Sequence, residues 1–399
     1  MVRENTDVTE IRVGKGVSRR QVMKQLGAVA AIGGVGGLAG CTQGGDSTTA
    51  PGDGSGGGTG TAGGGGDGGS GGAPEYQLVQ LNPPPTTLDF SSEPGARQIT
   101  MVTHDASTSF FDPTIGGLHD AASQLGWEAT FTGPSSGFSV QEQVNILNSV
   151  VDSSPDVIAT TIADPAAYDD VINRALENDV PVVTYNTLAL DREQMRNKYG
   201  RALAYTGQDQ VAAGYVCGLS MLEKLPDGAS KVTPGLSDPG HSALSARADG
   251  MEMAVQQNSD IELTDRLNYT GDSNEGVSRI ENHLTANPDL DGIMGADAFT
   301  WFIGNAIANQ GMADSVVGGG FDLTSQTLKH INNGNLKYTI GQDPYSQGYI
   351  PTMQMFAYMD RGMPPKDYPT GAEVIDQSNI EFAQNRSGGW GQLREYHGA

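Results

Sequence analysis

From about Arg97 to Pro365, short runs of consecutive apolar residues alternate with longer segments in which apolar residues recur every three or four positions. The run ITMVTH is followed by FDPTIGGLHDAASQLG, where Ile115, Leu118, Ala121, Ala122 and Leu125 share a helical face. WEATFTG reads as a second strand. SVQEQVNILNSVVDSSPD carries Val140, Val144, Leu147, Val150 and Val151 at helical spacing and stops at Pro155. VIATTIAD is a third strand, PAAYDDVINRALEND opens a helix on Pro165, and VPVVTYNT is a fourth strand. Strands that are apolar throughout, separated by amphipathic helices, build a parallel sheet covered on both faces. The pattern then starts again at ALAYTGQ and runs through SKVTPGLS, IELTDRLNYTG, LDGIMGAD, SVVGGGFD and LKYTIGQD, each followed by a helical segment. The expected fold is α/β, with two doubly wound parallel-sheet lobes joined by a hinge.

Sheets wound this way bind ligands beyond the carboxyl ends of their strands, and two lobes place that ground in the cleft between them. The strand ends deliver His104, Asp105 and the Phe110-Phe111 loop, then Asp164, then Asn186. In the second half Arg247 opens a helix after GLSDPGHSALSA, and later strands end at Asp297, Asp322 and Gln342. Planar carboxylates, amides and a guanidinium bridge vicinal hydroxyls, and aromatic faces cover an apolar C–H face, which is the set a sugar requires. Each residue also has a plainer role. The phenylalanines suit core anchors, the three aspartates suit helix caps, Arg247 suits a salt bridge, Gln342 a hinge tie and Asn186 a structural turn. Their common position at strand ends favours the ligand role for the set.

The chemistry of other classes is missing from the pattern. The sequence has no phosphate-binding GxxxxGK[ST] loop and no HExxH metal pair, and no nucleophile can be matched to a base. No cofactor, metal or catalytic residue is expected. Of 399 residues, 31 are Asp and 16 Glu against 8 Lys and 15 Arg, a net charge of −24. That surface excludes nucleic acid as a partner and fits adaptation to high salt, where counterions screen the self-repulsion. The two cysteines, Cys41 and Cys217, make no disulfide framework, and Cys217 sits in a helical segment as a small buried thiol.

The first 40 residues read as an address. Ser18-Arg19-Arg20 with Lys24 resembles a twin-arginine export motif, with Val22 where Phe is more usual. A short, glycine-diluted apolar stretch follows, too weak for a membrane span. Leu38-Ala39-Gly40-Cys41 resembles a lipobox, in which cleavage before Cys41 frees that residue for lipid attachment. From Gly44 to Gly72, 16 of 29 residues are glycine. Such a segment is a flexible leash with a reach of roughly 30 Å.

The stretches PDVIATTIADPAAYDDVINRALENDVPVVTYNT, AYTGQDQVAAGYVCG, HLTANPDLDGIMGAD, VVGGGFDLT and IGQDPYSQGY, in this order, resemble the sugar-binding proteins of ABC transporters with the ribose/galactose-type (type 1) periplasmic-binding fold. The resemblance runs from about Gln98 to Pro365. It implies a cleft that closes on a monosaccharide and a chain that crosses between lobes three times. Its stacking aromatics fall on Phe110 and Phe111, its first-lobe acid on Asp164, and its Arg-x-x-Gly arginine on Arg247 of Arg247-Ala-Asp-Gly250. Its further polar groups fall on Asp297, Asp322 and the hinge glutamine Gln342. Thr108-Ser109 replaces the Asn-Pro of ribose binders, and the second-lobe aromatic has no counterpart near Gly271-Asp272. Hexoses, deoxy sugars, inositols and nucleosides therefore stay open beside ribose.

The expected organisation is a signal peptide at 1–40, a lipidated cysteine and linker at 41–96, a first lobe at 97–190, a second lobe at 191–342, a return to the first lobe at 343–365, and the end of the second lobe with a tail at 366–399. The expected protein is a monomeric, lipid-anchored solute-binding lipoprotein on the outer face of the cytoplasmic membrane, partnered by an ABC permease and ATPase. A membrane-tethered sensor of a sugar or nucleoside is the alternative. A repressor effector domain lacks its DNA-binding helices here, and a carboxylate-pair hydrolase lacks a pair that can be named. Asn268 and Asn385 stand in glycosylation triplets.

Overall fold

The structure is a computed structural model that describes residues 94–397. The twin-arginine segment, Cys41 and the glycine-rich stretch lie outside the described residues.

Two sheets organise the chain. The first contains β1 (Gln98–Val102), β2 (Glu128–Thr132), β3 (Val157–Ile162), β4 (Val182–Leu188), β5 (Tyr205–Gly207) and β12 (Tyr368–Pro369), in the order β12-β5-β4-β3-β1-β2. Every pairing in it is parallel. The second contains β6 (Lys231–Leu236), β7 (Glu262–Leu263), β8 (Leu267–Asn268), β9 (Gly292–Gly295), β10 (Val317–Phe321), β11 (Tyr338–Gly341) and β13 (Glu373–Asp376). Its order is β13-β11-β10-β9-β6-β7, with β8 also on β6, and only the β11–β13 pairing is antiparallel.

The central strands are buried on both faces, as their uninterrupted apolar runs require. Ile99, Met101, Val157, Ile158, Val182 and Tyr185 carry the first core, and Ile293, Met294, Phe302, Phe321, Tyr338 and Ile340 the second. The helices begin and end where local chemistry dictates. Helix α1 (Asp112–Leu125) has Pro113 in its first turn and stops at Gly126 with φ 66°. Helix α2 (Val140–Ser153) is capped by Ser139 Oγ on the Glu142 N–H.

The lobes exchange chain three times. The first crossing follows β5 at Gln208. The second follows β11 at Gln342. The third lies between β12 and β13, around Gly371. The sequence pattern assigns ALAYTGQ and everything from 191 to the second lobe, and 366–399 likewise. The structure instead puts helix Arg192–Tyr199, β5 and β12 with the first sheet. The physical reason is that three- and two-residue strands carry no periodicity that names a neighbour. The β5 strand is placed by its pairing with β4, Thr184 opposite Tyr205, and β12 by pairing with β5.

Candidate functional site

The strands of both sheets end toward one cleft of about 620 Å³. From the first lobe, β1 runs out at Val102 into His104, Asp105 and a single 3-10 turn, Ser109–Phe111, that feeds α1. Thr108 Oγ1 accepts the Phe110 N–H at 3.3 Å and fixes that turn. Phe111 is only 2% exposed and packs edge-on to Phe110, His104 and Tyr185, so it is a core anchor with one edge on the cavity. Phe110 is half-buried and lines the cleft together with a smaller adjoining cavity of about 150 Å³.

From the second lobe come Arg247, Asp297 and Asp322. Arg247 lies on α6 (Ser242–Asn258), which packs against α5 (Gln210–Lys224). Gly250 lets the two helices approach closely: a methyl there would lie 2.1 Å from the Val211 carbonyl oxygen, and one at Gly214 would lie 2.0 Å from that of Arg247. The Arg-x-x-Gly spacing thus seats the arginine against the hinge. Its guanidinium, fully buried, donates to Gln210 Oε1 (2.7 Å), the Ala296 carbonyl (3.0 Å), Gln208 Oε1 (3.0 Å) and Gln342 Oε1 (3.1 Å), and stands 4.2 Å over the Phe321 ring. Burial lowers the Arg247 pKa, and the Asp322 carboxylate opposes that shift.

Asp322 and Asn186 both hold left-handed backbone, at φ 74° and 57°, conformations that Asp and Asn tolerate better than most residues and that concentrate at functional sites. Asp322 Oδ1 accepts from Gln342 Nε2 at 2.5 Å. Burial raises the Asp322 carboxyl to about 6, against the pull of Arg247. Asp297 is raised as well, chiefly by burial, although the Tyr269 hydroxyl (2.8 Å) and the backbone N–H groups of Ser237 (2.8 Å) and Phe299 (3.0 Å) all donate to it. Asn186 Nδ2 reaches Gln347 Oε1 at 3.0 Å and Gln342 Oε1 at 3.4 Å.

Of the eight ligand-site residues expected from sequence, the cleft brings together seven: Phe110, Phe111, Asn186, Arg247, Asp297, Asp322 and Gln342. Asp164 does not line it. Its Oδ1 accepts the N–H groups of Ala166 and Ala167, both at 2.8 Å, and so caps the turn after β3. The cleft also contains Phe138, His241 and Phe299, which stand in loops and beside a helix start and so carry no strand-end signal. His241 precedes α6 in the GHSALSA stretch, where only tertiary packing turns it inward. Among the described residues no group of His, Cys, Asp and Glu is arranged to hold a metal ion, and no helix is long and apolar enough to cross a membrane. Cys217 is buried, with its thiol pushed up to about 12 chiefly by burial.

Two wound sheets, three crossovers and a cleft of strand ends match a known architecture. The sequence pattern of the periplasmic binding protein domain matches residues 99–363. The chain belongs to that family. The xylose/arabinose-binding protein XylF of Sulfolobus acidocaldarius is 28% identical over 294 residues, covering 71% of this chain and 72% of that protein. The ribose import binding protein RbsB of Escherichia coli is 25% identical over 248 residues, 62% of this chain and 79% of that one. Among solved structures, GanP, a glucose-galactose binding protein from Geobacillus stearothermophilus, superposes with a TM-score of 0.64 at 23% identity, over 71% of this chain and 99% of its own. A solute-binding protein from Agrobacterium vitis, solved with alpha-D-tagatopyranose, gives 0.67 at 23% identity over 71% and 96%. Both share the fold. The family is one of binding proteins, and this chain is a binding protein, not an enzyme.

Proposed function

We propose that this chain is the extracytoplasmic sugar-binding component of an ABC importer, held to the membrane by a lipid on Cys41, and that it captures a monosaccharide in the interlobe cleft for delivery to a permease. The observation that carries the reading is the cleft itself: Asp297, Asp322 and Gln342, just past the ends of β9, β10 and β11, and Asn186, within β4, line it together with Phe110 and Phe111. Carboxylates and amides brought to one cavity bridge neighbouring hydroxyls, and a phenylalanine on its wall covers the ring's apolar face. The names of the relatives, which bind xylose, arabinose, ribose and allose, support a sugar. The export motif and lipobox support the tethered location, and the glycine-rich stretch after Cys41 supplies the reach.

The test is a thermal-shift screen over pentoses, hexoses, polyols and nucleosides in high salt. A ligand at about 100 times its Kd adds roughly 2.7 kcal/mol of stability and raises the midpoint accordingly. A rise confined to one or a few monosaccharides is expected. No rise with any sugar, or a rise only with nucleosides, would displace the reading. For the anchor, Cys41→Ser is expected to move the protein out of the lipid-modified membrane fraction, checked by metabolic labelling with a fatty acid.

A further inference from the structure

The cleft is bridged by more than a solute could supply. Ser242 Oγ, at the start of α6, donates to the Ala163 carbonyl at the end of β3 (2.9 Å), so the lobes touch. Beside that contact two imidazoles face one another across the cleft. The ring centroids of His104, from the first lobe, and His241, from the second, are 5.0 Å apart at 77°, and Phe138 of the first lobe lies 4.9 Å from His241 and 5.6 Å from His104. Both histidines are buried.

We propose that His104, Phe138 and His241 form an interlobe latch that closes with both imidazoles neutral, so that acidification opens the cleft and releases its solute. It goes beyond the sugar-binding reading and rests on that reading only for the identity of what is released.

The surroundings of each ring oppose a second proton. Thr161 Oγ1, at the end of β3, accepts from Gln143 Nε2 (3.0 Å) and meets His104 Nδ1 at 3.0 Å. Either the threonine hydroxyl donates to Nδ1 or Nδ1–H donates to it, so this one contact satisfies the neutral ring in either tautomer. His241 Nδ1 is buried without a hydrogen-bond partner, so an imidazolium there would bury an N–H with no acceptor. Arg247, on the His241 helix, faces both rings with its fixed positive charge. Asp105 beside His104, Asp238 beside His241, and Asp272, Asp297 and Asp322 along the second-lobe wall pull the other way. Burial and the positive neighbours win: His104 is held well below the usual imidazole range by burial, then His241, then Arg247, and His241 is pushed down to about 4 by burial and Arg247.

Opening separates and hydrates the rings, which returns them toward their ordinary value near 6.5. Because the closed state has the depressed pKa, its stabilisation is complete above the open-state value and fades as pH falls toward 4. His241 alone then shifts the closed-to-open ratio by about 30-fold at about pH 5 relative to pH 7.5.

The test reads the interlobe distance directly, with no sugar added. Spin labels are placed at Ser149→Cys in the first lobe and Thr285→Cys in the second, both exposed positions, in the full chain carrying Cys41→Ser. At about pH 7.5 a short-distance population is expected, and its ratio to the long-distance population should fall about tenfold or more by about pH 5. His241→Phe keeps a ring against Phe138 and removes the titration, so most of that response should disappear. With His104→Gln and His241→Phe together the fall should vanish or reverse, because Asp322, raised to about 6 by burial in the closed cleft, titrates in the opposite sense. An unchanged ratio between the two pH values, a long distance alone at both, or an undiminished response in His241→Phe would overturn the latch. A parallel calorimetric titration with D-xylose is expected to weaken about tenfold or more at about pH 5. Absence of D-xylose binding at both pH values would exclude that sugar and leave the sugar reading to the thermal-shift screen, while the distances still decide the latch.

Discussion

Arg247 donates through Nη2 to Gln208 Oε1 at 3.0 Å, and Gln208 donates through Nε2 to the carbonyls of Gly341 (3.2 Å) and Gly371 (2.7 Å). Gln208 stands on the first crossover and the two carbonyls on the second and third. One amide therefore ties all three interlobe strands, and one guanidinium orients that amide. Arg247 also holds Gln342, which in turn holds Asp322. The second-lobe arginine thus serves the hinge directly and the cleft through its neighbours.

Arg247→Met is accordingly expected to destabilise the folded chain, not only to weaken binding. It strips partners from the side-chain oxygens of Gln208, Gln210 and Gln342 and from the Ala296 carbonyl. Leaving buried acceptors unpaired costs on the order of 3 kcal/mol or more in total. Arg247→Lys, which reaches fewer of these oxygens, should fall between Met and the parent. Urea unfolding of the ligand-free protein measures this, and an unchanged midpoint for Arg247→Met would refute a structural role at the hinge.

The neighbouring helix crossing sets where that guanidinium lies. Gly250→Ala places a methyl 2.1 Å from the Val211 carbonyl oxygen, so α5 and α6 must part. Overpacking of this kind costs about 1–3 kcal/mol. Since the backbone of Arg247 moves with the helix, solute affinity should fall together with stability. A variant as stable as the parent, with unchanged affinity, would show that the close approach is not needed.

The two phenylalanines should part company under truncation. Phe111→Ala removes a ring that is 2% exposed, and the loss should appear mainly in stability, about 3–5 kcal/mol. Phe110, half-buried on the cavity wall, should leave the unfolding midpoint nearly intact and lower the affinity. Calorimetry and denaturation of both variants discriminate these outcomes, and equal stability losses would assign Phe110 to the core as well.

Much of this arrangement is legible in the sequence because it is local. A run such as VIATTI is buried on every residue and has one way to be a strand, and the residue that follows it must lie at the sheet's carboxyl edge. That is why Asp297, Asp322 and Gln342 are legible as strand ends, whereas Asn186 lies within β4, where the chain takes left-handed backbone and the pairing with β3 shifts register. Three features were not local. The β5 strand joins the first sheet through a two-residue register that no periodicity encodes. Asp164 sits at a strand end like the others, but the backbone N–H groups of Ala166 and Ala167 capture its carboxylate before the cleft does. His104 and His241 are 137 positions apart and meet only because the lobes touch. Such a pairing has no signature in either segment.

Asp322 follows β10 with its carboxyl raised to about 6 by burial, so the ligand-free fold bears a cost for ionising it. A folded-state pKa above the ordinary carboxylate value means that stability falls as pH rises from about 4 to about 6 and stays reduced above that range. Asp322→Asn keeps the Oδ1 acceptor for Gln342 Nε2 and removes the charge. The value near 6 already includes the pull of Arg247, so the gain is what remains after that attraction is lost. The expected outcome is a ligand-free protein about 1–2 kcal/mol more stable than the parent near pH 7, with little difference near pH 4, where the parent carboxyl is protonated. Binding should move the opposite way. A charged acceptor is worth about 1.5–3 kcal/mol to a hydroxyl donor in a closed cleft, so affinity should drop about 10- to 150-fold. Unfolding midpoints across pH 4–7 and calorimetry with the sugar identified by the thermal screen check both halves. A variant that gains stability yet binds as tightly as the parent would remove Asp322 from the solute's partners, and one that loses stability at pH 7 would show that the Arg247 attraction outweighs the cost of burying the carboxylate.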